Sequence, residues 1–232
     1  MENSSIIKIE NLVKKFPMGK GEFTALSGIG LTLSQGEFAG LIGPSGSGKT
    51  TLLNIIGSLD VPTSGLVKVL GQSISELNAK ESARLRKENL GFIFQSYNLL
   101  AVHTVYENVE FPLLLLGLSS GERKKMVMDA LEWVGLTDKI RSKPPQLSGG
   151  ECQRVAVARA MVKKPSIVLA DEPTANLDAA NSHNILKTME ELNRELKTSF
   201  LFATHDEKVI NYLHRKIFLL DGRIDKDEVV SN

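Results

Sequence analysis

The chain has 232 residues, with 28 Lys and Arg against 27 Asp and Glu and a formal net charge of +1. That length fits one large α/β domain with room for an inserted piece, and it buries a sizeable core without staples. Basic residues are spread along the chain, which gives no support to nucleic-acid binding, and the single Cys152 has no internal disulfide partner, which suits a reducing compartment.

Ile7 and Ile9 alternate with Lys8 and Glu10, the pattern of a strand, expected at a sheet edge. Leu26, Ile29, Leu31 and Leu33 mark a second stretch, and Gln35-Gly36 turns it into a third, Phe38 to Ile42. The first two read as antiparallel with one wet face. Phe38 to Ile42 is continuously apolar and ends in Gly43-Pro44-Ser45-Gly46-Ser47-Gly48-Lys49-Thr50, after which a helical pattern follows from Leu52. Strand, glycine-rich loop and helix with the spacing G-x-x-x-x-G-K-[ST] make a P-loop. Glycines let successive N–H groups turn inward, and the helix start adds partial positive charge. Lys49 is then expected on the terminal phosphates and Thr50, next to Thr51, on Mg2+. These residues point to a bound nucleoside triphosphate.

Asp60 to Gly65 breaks the chain, Leu66 to Leu70 reads as a strand, and residues 79 to 88 form a charged helical stretch. Leu90 to Phe94 is a buried strand ending at Gln95, whose amide is placed to reach a metal ion or a water. From 96 to 164 no strand pattern occurs. Thr104 caps a helix toward Leu116, Ser119-Ser120 precedes a second with Val127, Ala130, Leu131 and Val134 at helical spacing, and Leu147 to Lys163 carries a third, stopped before Pro165. The α/β alternation then resumes: strand Ile167 to Ala170, helix Ala179 to Leu196, strand Phe200 to Thr204, helix Glu207 to Leu213, and a final strand Lys216 to Leu220 before the turn Asp221-Gly222. Residues 1 to 12 lack the pattern of a signal peptide, and the longest apolar stretch, Val109 to Leu118, is about half of a membrane span and contains Glu110 and Pro112. The expectation is a soluble chain that reaches a membrane only through a partner.

Ile167 to Glu172 is an apolar strand ending in two acids. Behind a P-loop, an acid at a strand end holds Mg2+ opposite the loop hydroxyl, the role expected of Asp171. Glu172 is placed to take a proton from an attacking water. Thr204-His205 ends the next strand, where an imidazole would bond the γ-phosphate or orient Glu172. Leu147-Ser148-Gly149-Gly150-Glu151 opens a helix. Alone it reads as a Ser N-cap with a Glu three residues on. Because the P-loop already serves one nucleotide, the alternative is a second phosphate cradle closing over the nucleotide of another copy in a two-fold dimer.

The order P-loop, Gln95, Leu-Ser-Gly-Gly, Asp171-Glu172, Asp178 and His205 resembles the ATP-binding-cassette (ABC) ATPases over nearly the whole chain. The resemblance implies an α/β fold: a P-loop NTPase (RecA-like) core with an N-terminal antiparallel β subdomain, residues 1–95 and 165–232, and an inserted helical subdomain, 96–164, carrying the signature motif. By position Phe16 looks like the adenine-stacking aromatic, Ser148, Gly149 and Gly150 like the signature, and Asn176-Leu177-Asp178 like the D-loop. The position of Phe16 is more often Tyr; the ring face is kept. Glu151 stands where Gln is commoner, and Cys152 has no assigned role. Every catalytic position holds a competent residue type, so an active Mg-dependent ATPase is expected. Also implied are ATP and Mg2+, a head-to-tail dimer sandwiching two ATP molecules, and coupling to integral-membrane permease subunits at the cytoplasmic face of the inner (plasma) membrane.

Met18 to Glu22, Asn54-Ile55-Ile56-Gly57 and Phe94 to Leu99 look like the LolD/MacB-type branch, whose members release lipoproteins or export macrolides and peptides. In that branch the apolar segment from Tyr97 to Leu116 lies by the groove for a permease's coupling helix. The alternative is an FtsE-like ATPase that regulates cell-wall processes without transport. A GTPase is disfavoured because no Asn-Lys-x-Asp stretch occurs.

Overall fold

The computed structural model describes residues 5–19 and 21–230. Residues 1–4, Lys20 of the Met18 to Glu22 stretch, and residues 231–232 lie outside the described residues. In chain order the elements are β1 (Ser5–Met18), β2 (Gly21–Ser34), β3 (Phe38–Ile42), α1 (Lys49–Ile56), β4 (Ser64–Val69) and β5 (Gln72–Ser73). Next come α2 (Ala79–Asn89), β6 (Leu90–Ile93), α3 (Val105–Leu116), α4 (Ser120–Trp133), α5 (Gly149–Met161) and β7 (Ile167–Asp171). The chain closes with α6 (Ala179–Leu196), β8 (Ser199–Thr204), α7 (Glu207–Ile210), β9 (Arg215–Leu220) and β10 (Arg223–Val229).

The strands sort into two sheets according to how much of each is apolar. β3 and β8 are buried at every position, as strands covered on both faces must be. They lie in the middle of a six-stranded sheet of order β10-β9-β3-β8-β7-β6, parallel from β9 to β6 with β10 antiparallel at one edge. Period-two alternation divides their side chains between two cores. Phe38, Ile42, Phe200 and Phe202 face a core shared with α3, α4, α5 and α6. Ala39, Leu41, Leu201 and Ala203 face one shared with α1 and the other sheet. The Phe38 ring packs 4.8 Å from Phe202 and 5.4 Å from Phe200, both tilted. Each of these fully buried large side chains contributes about 1.5–3 kcal/mol.

The second sheet has the order β2-β1-β4-β5 and is antiparallel throughout. Its first strand is not at an edge, as the alternation of Ile7 and Ile9 had suggested. Ile7 pairs with Leu33 on one side and with Val69 on the other. Alternation reports which face is wet but says nothing of how many neighbours a strand has. Two further departures have local causes. β10 follows the Asp221-Gly222 turn, so β9 is not the final strand; its sequence Arg223–Val229 is charged and largely exposed, as an edge strand tolerates. α7 stops at Ile210 instead of continuing to Leu213, because the Tyr212 and Leu213 N–H groups close short turns on Val209 and Ile210.

Between β6 and β7 the chain forms α3, α4 and α5. Capping boxes start each: Thr104 with Glu107, Ser119 with Glu122, Ser148 with Glu151. α3 buries Val105, Val109 and Leu113 and leaves Phe111, Leu114 and Leu115 exposed. No helix among the described residues is long and apolar enough to cross a membrane.

Candidate nucleotide site

The parallel strands place the site. Ile42 of β3 is in register with Thr204 of β8, and Asp171 of β7 with Ala203, so the P-loop, Asp171-Glu172 and His205 leave the same edge together. In α/β sheets ligands bind outside that edge. A cavity of about 560 Å3 opens there. Ser45, Gly46, Gly48, Lys49, Thr50 and Thr51 line it, with Gln95, Asp171, Glu172 and His205.

α1 begins in this cavity and differs from the other described α-helices: no side chain caps its N-terminus. Its N-cap residue, Gly48, has φ +103°, and a Cβ there would stand 2.8 Å from the Ala25 carbonyl oxygen. Only glycine fits, and the first-turn N–H groups stay available for an anion. Ser47 Oγ is buried without a hydrogen-bond partner, a further donor held in the loop. Lys49 donates to the carbonyls of Gly43 (2.7 Å) and Pro44 (2.8 Å), and burial pushes its ammonium pKa down, opposed by the Glu172 and Asp171 carboxylates. A buried cation bonded only to loop carbonyls is readily drawn to phosphate.

Thr50 Oγ1 lies 3.0 Å from Asp171 Oδ2 and 3.3 Å from Oδ1. Burial pushes the Asp171 carboxyl up, while the Thr50 hydroxyl pulls it back. A hydroxyl and a carboxylate in contact, next to an uncapped helix start, are the all-oxygen donors that a Mg2+–phosphate unit takes. Gln95 lines the same cavity, and its carbonyl accepts the Asn176 side chain at 2.8 Å.

Glu172 sits at φ +46°, its N–H bonded to Ala203 O at 2.9 Å. His205 Nδ1 is 2.5 Å from Glu172 Oε1, and Thr204 Oγ1 is 3.0 Å from Oε2. The carboxylate is therefore held at both oxygens before anything binds.

The other expected residues are not brought to this cavity within one chain. Gly43, Pro44 and Ser47 lie in the loop but do not line it. Ser148 caps α5: its hydroxyl accepts the Glu151 N–H at 3.3 Å while the Glu151 carboxylate accepts the Ser148 N–H at 2.7 Å, which lowers the pKa of Glu151. Asp178 caps α6, accepting from Asn181. The first turns of these two helices pack closely: a Cβ on Gly150 would stand 2.5 Å from Asn181 Oδ1. Gln153, buried in α5, donates to Pro173 O at 2.7 Å, tying the helix to the loop after Glu172. Cys152 is buried, its Sγ 3.6 Å from Pro144 O.

Phe16 is not among the cavity-lining residues, but its cross-strand partner Phe23 is, together with Ala25. Directly paired residues put both rings on one face of the β1–β2 hairpin. Lys14 Nζ lies 4.8 Å over the Phe16 ring and is itself held by Asp60 at 2.6 Å. Phe23, Ala25 and Thr204 were missed in the sequence. The hairpin register that pairs 16 with 23 is the signal that finds the first two. Arg159 was missed as well; it donates to Tyr97 O and Asn98 O, clamping two residues at positive φ just beyond Gln95.

A second cavity, about 470 Å3, lies between β6, α2, α3 and α5. Leu59, Phe92, Phe94, Phe111 and Leu115 line it, with Arg86, Arg159 and Lys163.

Comparison with known proteins points to one family. A family model described as "ABC transporter" matches residues 26–175. The lipoprotein-releasing system ATP-binding protein LolD of Pseudoalteromonas translucida (strain TAC 125) is 46% identical over 222 residues, covering 96% of each chain. The macrolide export ATP-binding/permease protein MacB of Hyphomonas neptunium (strain ATCC 15444) is 45% identical over 96% of this chain and 34% of its own length. Among solved structures, the ATP-binding cassette MJ0796, a dimer in a post-hydrolysis state bound to ADP and Pi, superimposes with a TM-score of 0.90 at 39% identity, covering 97% of this chain and 99% of that one.

Proposed function

This chain belongs to the ABC transporter family, and from that membership we propose that it is the ATP-hydrolysing subunit of a membrane export or lipoprotein-release system. The observation that carries the reading is the joint placement of Thr50 on Asp171 and of Glu172 on His205 beside an uncapped helix start. The solved relative of like fold holds ADP and Pi as a dimer, which supports the same chemistry in this chain.

In this reading residues 1–95 and 165–232 form the nucleotide-binding core and 96–164 a helical subdomain carrying the signature. The N–H groups of the loop and first-turn residues that line the cavity, from Ser45 to Thr51, and the Lys49 ammonium bind the phosphates. Mg2+ held by Thr50, Asp171 and Gln95 would supply charge neutralisation at the phosphates. Phe16 and Phe23 offer rings for the adenine. Glu172 takes the proton of the attacking water, and His205, on its other side, keeps the carboxylate aimed and contacts the terminal phosphate. Ser148, Gly149, Gly150 and Asp178 act on the nucleotide of a second copy in a head-to-tail sandwich, because within one chain they stand apart from the cavity.

The permease is assigned to the second cavity, where α3 turns Phe111 and Leu115 outward beside Phe92 and Phe94. MacB combines ATP-binding and permease parts in one protein, and this chain matches about a third of it. Residence is then at the cytoplasmic face of the inner (plasma) membrane, through that partner. The relatives above carry release and export names, which does not favour the FtsE-like alternative. The test is Mg-dependent ATP hydrolysis by the purified chain, with co-purification of a polytopic membrane protein. Absence of any hydrolysis stimulated by Mg2+ would refute the reading.

A further inference from the structure

Thr204 ends β8 fully buried, with its Oγ1 3.0 Å from Glu172 Oε2. The same oxygen accepts the Asp206 N–H at 3.0 Å. A hydroxyl has one proton to give. An N–H occupies an acceptor position and the neighbouring carboxylate can only accept, so the direction is set: Thr204 donates and Glu172 accepts. Asp206 is fixed in turn. Its Oδ1 accepts the Lys208 N–H at 2.9 Å and its Oδ2 accepts the Thr174 hydroxyl at 2.9 Å. The Asp206 N–H that orients Thr204 is thereby anchored to the segment just after Glu172.

The left-handed backbone at Glu172 adds a reason for such a brace. A residue at φ +46° carries a conformation that glycine or asparagine adopts more easily than glutamate. The surroundings have to hold it there. The backbone is held by Ala203 O, and the side chain by two neighbours with different exposures. The His205 side chain is 65% exposed, whereas Thr204 is fully buried and cannot swing away.

We propose that Thr204 is a positioning residue for hydrolysis: its hydroxyl locks one oxygen of Glu172 so that the other stays toward His205 and the phosphate cavity. A strand-end threonine has an ordinary explanation in β-branched packing. Packing does not require the hydroxyl. The inference rests on Glu172 as the base, and the experiment separates the two.

Full-length Thr204→Val keeps the shape and removes the donor; Thr204→Ser keeps the donor and removes the methyl. The expected result is a kcat on the order of ten- to a hundredfold lower for the Val variant, the scale of a misplaced catalytic group. Its KM for ATP stays within about twofold, and the Ser variant returns to near wild-type kcat. Size-exclusion chromatography with light scattering at saturating MgATP should show Thr204→Val accumulating as a dimer, since its ATP persists. Wild-type kcat in Thr204→Val, or an equal loss in Thr204→Ser, overturns the inference. Should the Val variant not fold, Thr204→Ala against Thr204→Ser decides: a low Ala and a normal Ser support it, equal rates overturn it. Glu172→Gln run in parallel separates the levels: slow Glu172→Gln beside fast Thr204→Val sinks this inference alone, and fast Glu172→Gln sinks the reading of the site.

Discussion

At the C-terminal edge of the six-stranded sheet, the groups proposed to face the phosphates are assembled within one chain; at the start of α5, the groups proposed for the same chemistry are capped and turned to other partners. On the sheet edge Thr50 already meets Asp171, and Glu172 meets His205 and Thr204. The strand registers bring these residues together, so the core that folds the sheet also builds the site. At α5, Ser148 and Glu151 satisfy each other, and the cavity has no signature residue in its lining. One region is complete as a fold and as half of a site; the other is complete only as a fold. On the proposed reading, a second copy completes the second region.

The largest effect expected on this comparison comes from Glu172→Gln, which removes the base and leaves the loop, Lys49 and α1 intact. Turnover should fall by roughly 10²–10⁴ while ATP binding, measured with a fluorescent analogue, is retained. Unchanged turnover would break the account of the sheet edge. Next, Ser148→Arg places bulk and charge at the α5 start. ATP-dependent dimerisation of the Glu172→Gln background should vanish in light scattering, with monomer nucleotide affinity altered by less than about twofold if Ser148 acts only across the interface. A smaller effect separates the two hairpin rings. Phe16→Ala and Phe23→Ala should each raise the KM for ATP, and the ring that stacks on the base should cost about tenfold. A larger loss at Phe23 would move the platform one strand over. The smallest effect is purely structural: Thr104→Ala removes the cap of α3 at about 1 kcal/mol, lowering Tm by roughly 2–4 °C in a melting curve with specific activity unchanged.

The sheet edge was legible in the sequence because its signals are local. A continuous apolar run ending in Gly43 to Thr50, and another ending in Asp171-Glu172, each state a strand and what leaves it. The capping box at Ser148 was legible for the same reason, and the structure shows it formed. What the sequence did not disclose depends on pairing between distant segments. Ile7 alternates in the same way at an edge or inside a sheet, and only the approach of β4 settles it. Phe23 acquires meaning through its register with Phe16, and Thr204 through a carboxylate 32 positions away. β10 is charged enough to pass for a tail until its pairing with β9 is seen. The left-handed Glu172 has no sequence mark, since glutamate gives no warning of that conformation.

The central claim, that one protomer grips the nucleotide and its neighbour completes the pocket, is tested most directly by an experimental structure of Glu172→Gln with MgATP. The account predicts a two-fold dimer in which Ser148 Oγ lies within hydrogen-bond distance, about 2.5–3.0 Å, of the γ-phosphate held by the other protomer's loop. A nucleotide-bound form in which Ser148 remains engaged only with Glu151 and far from every triphosphate would contradict it.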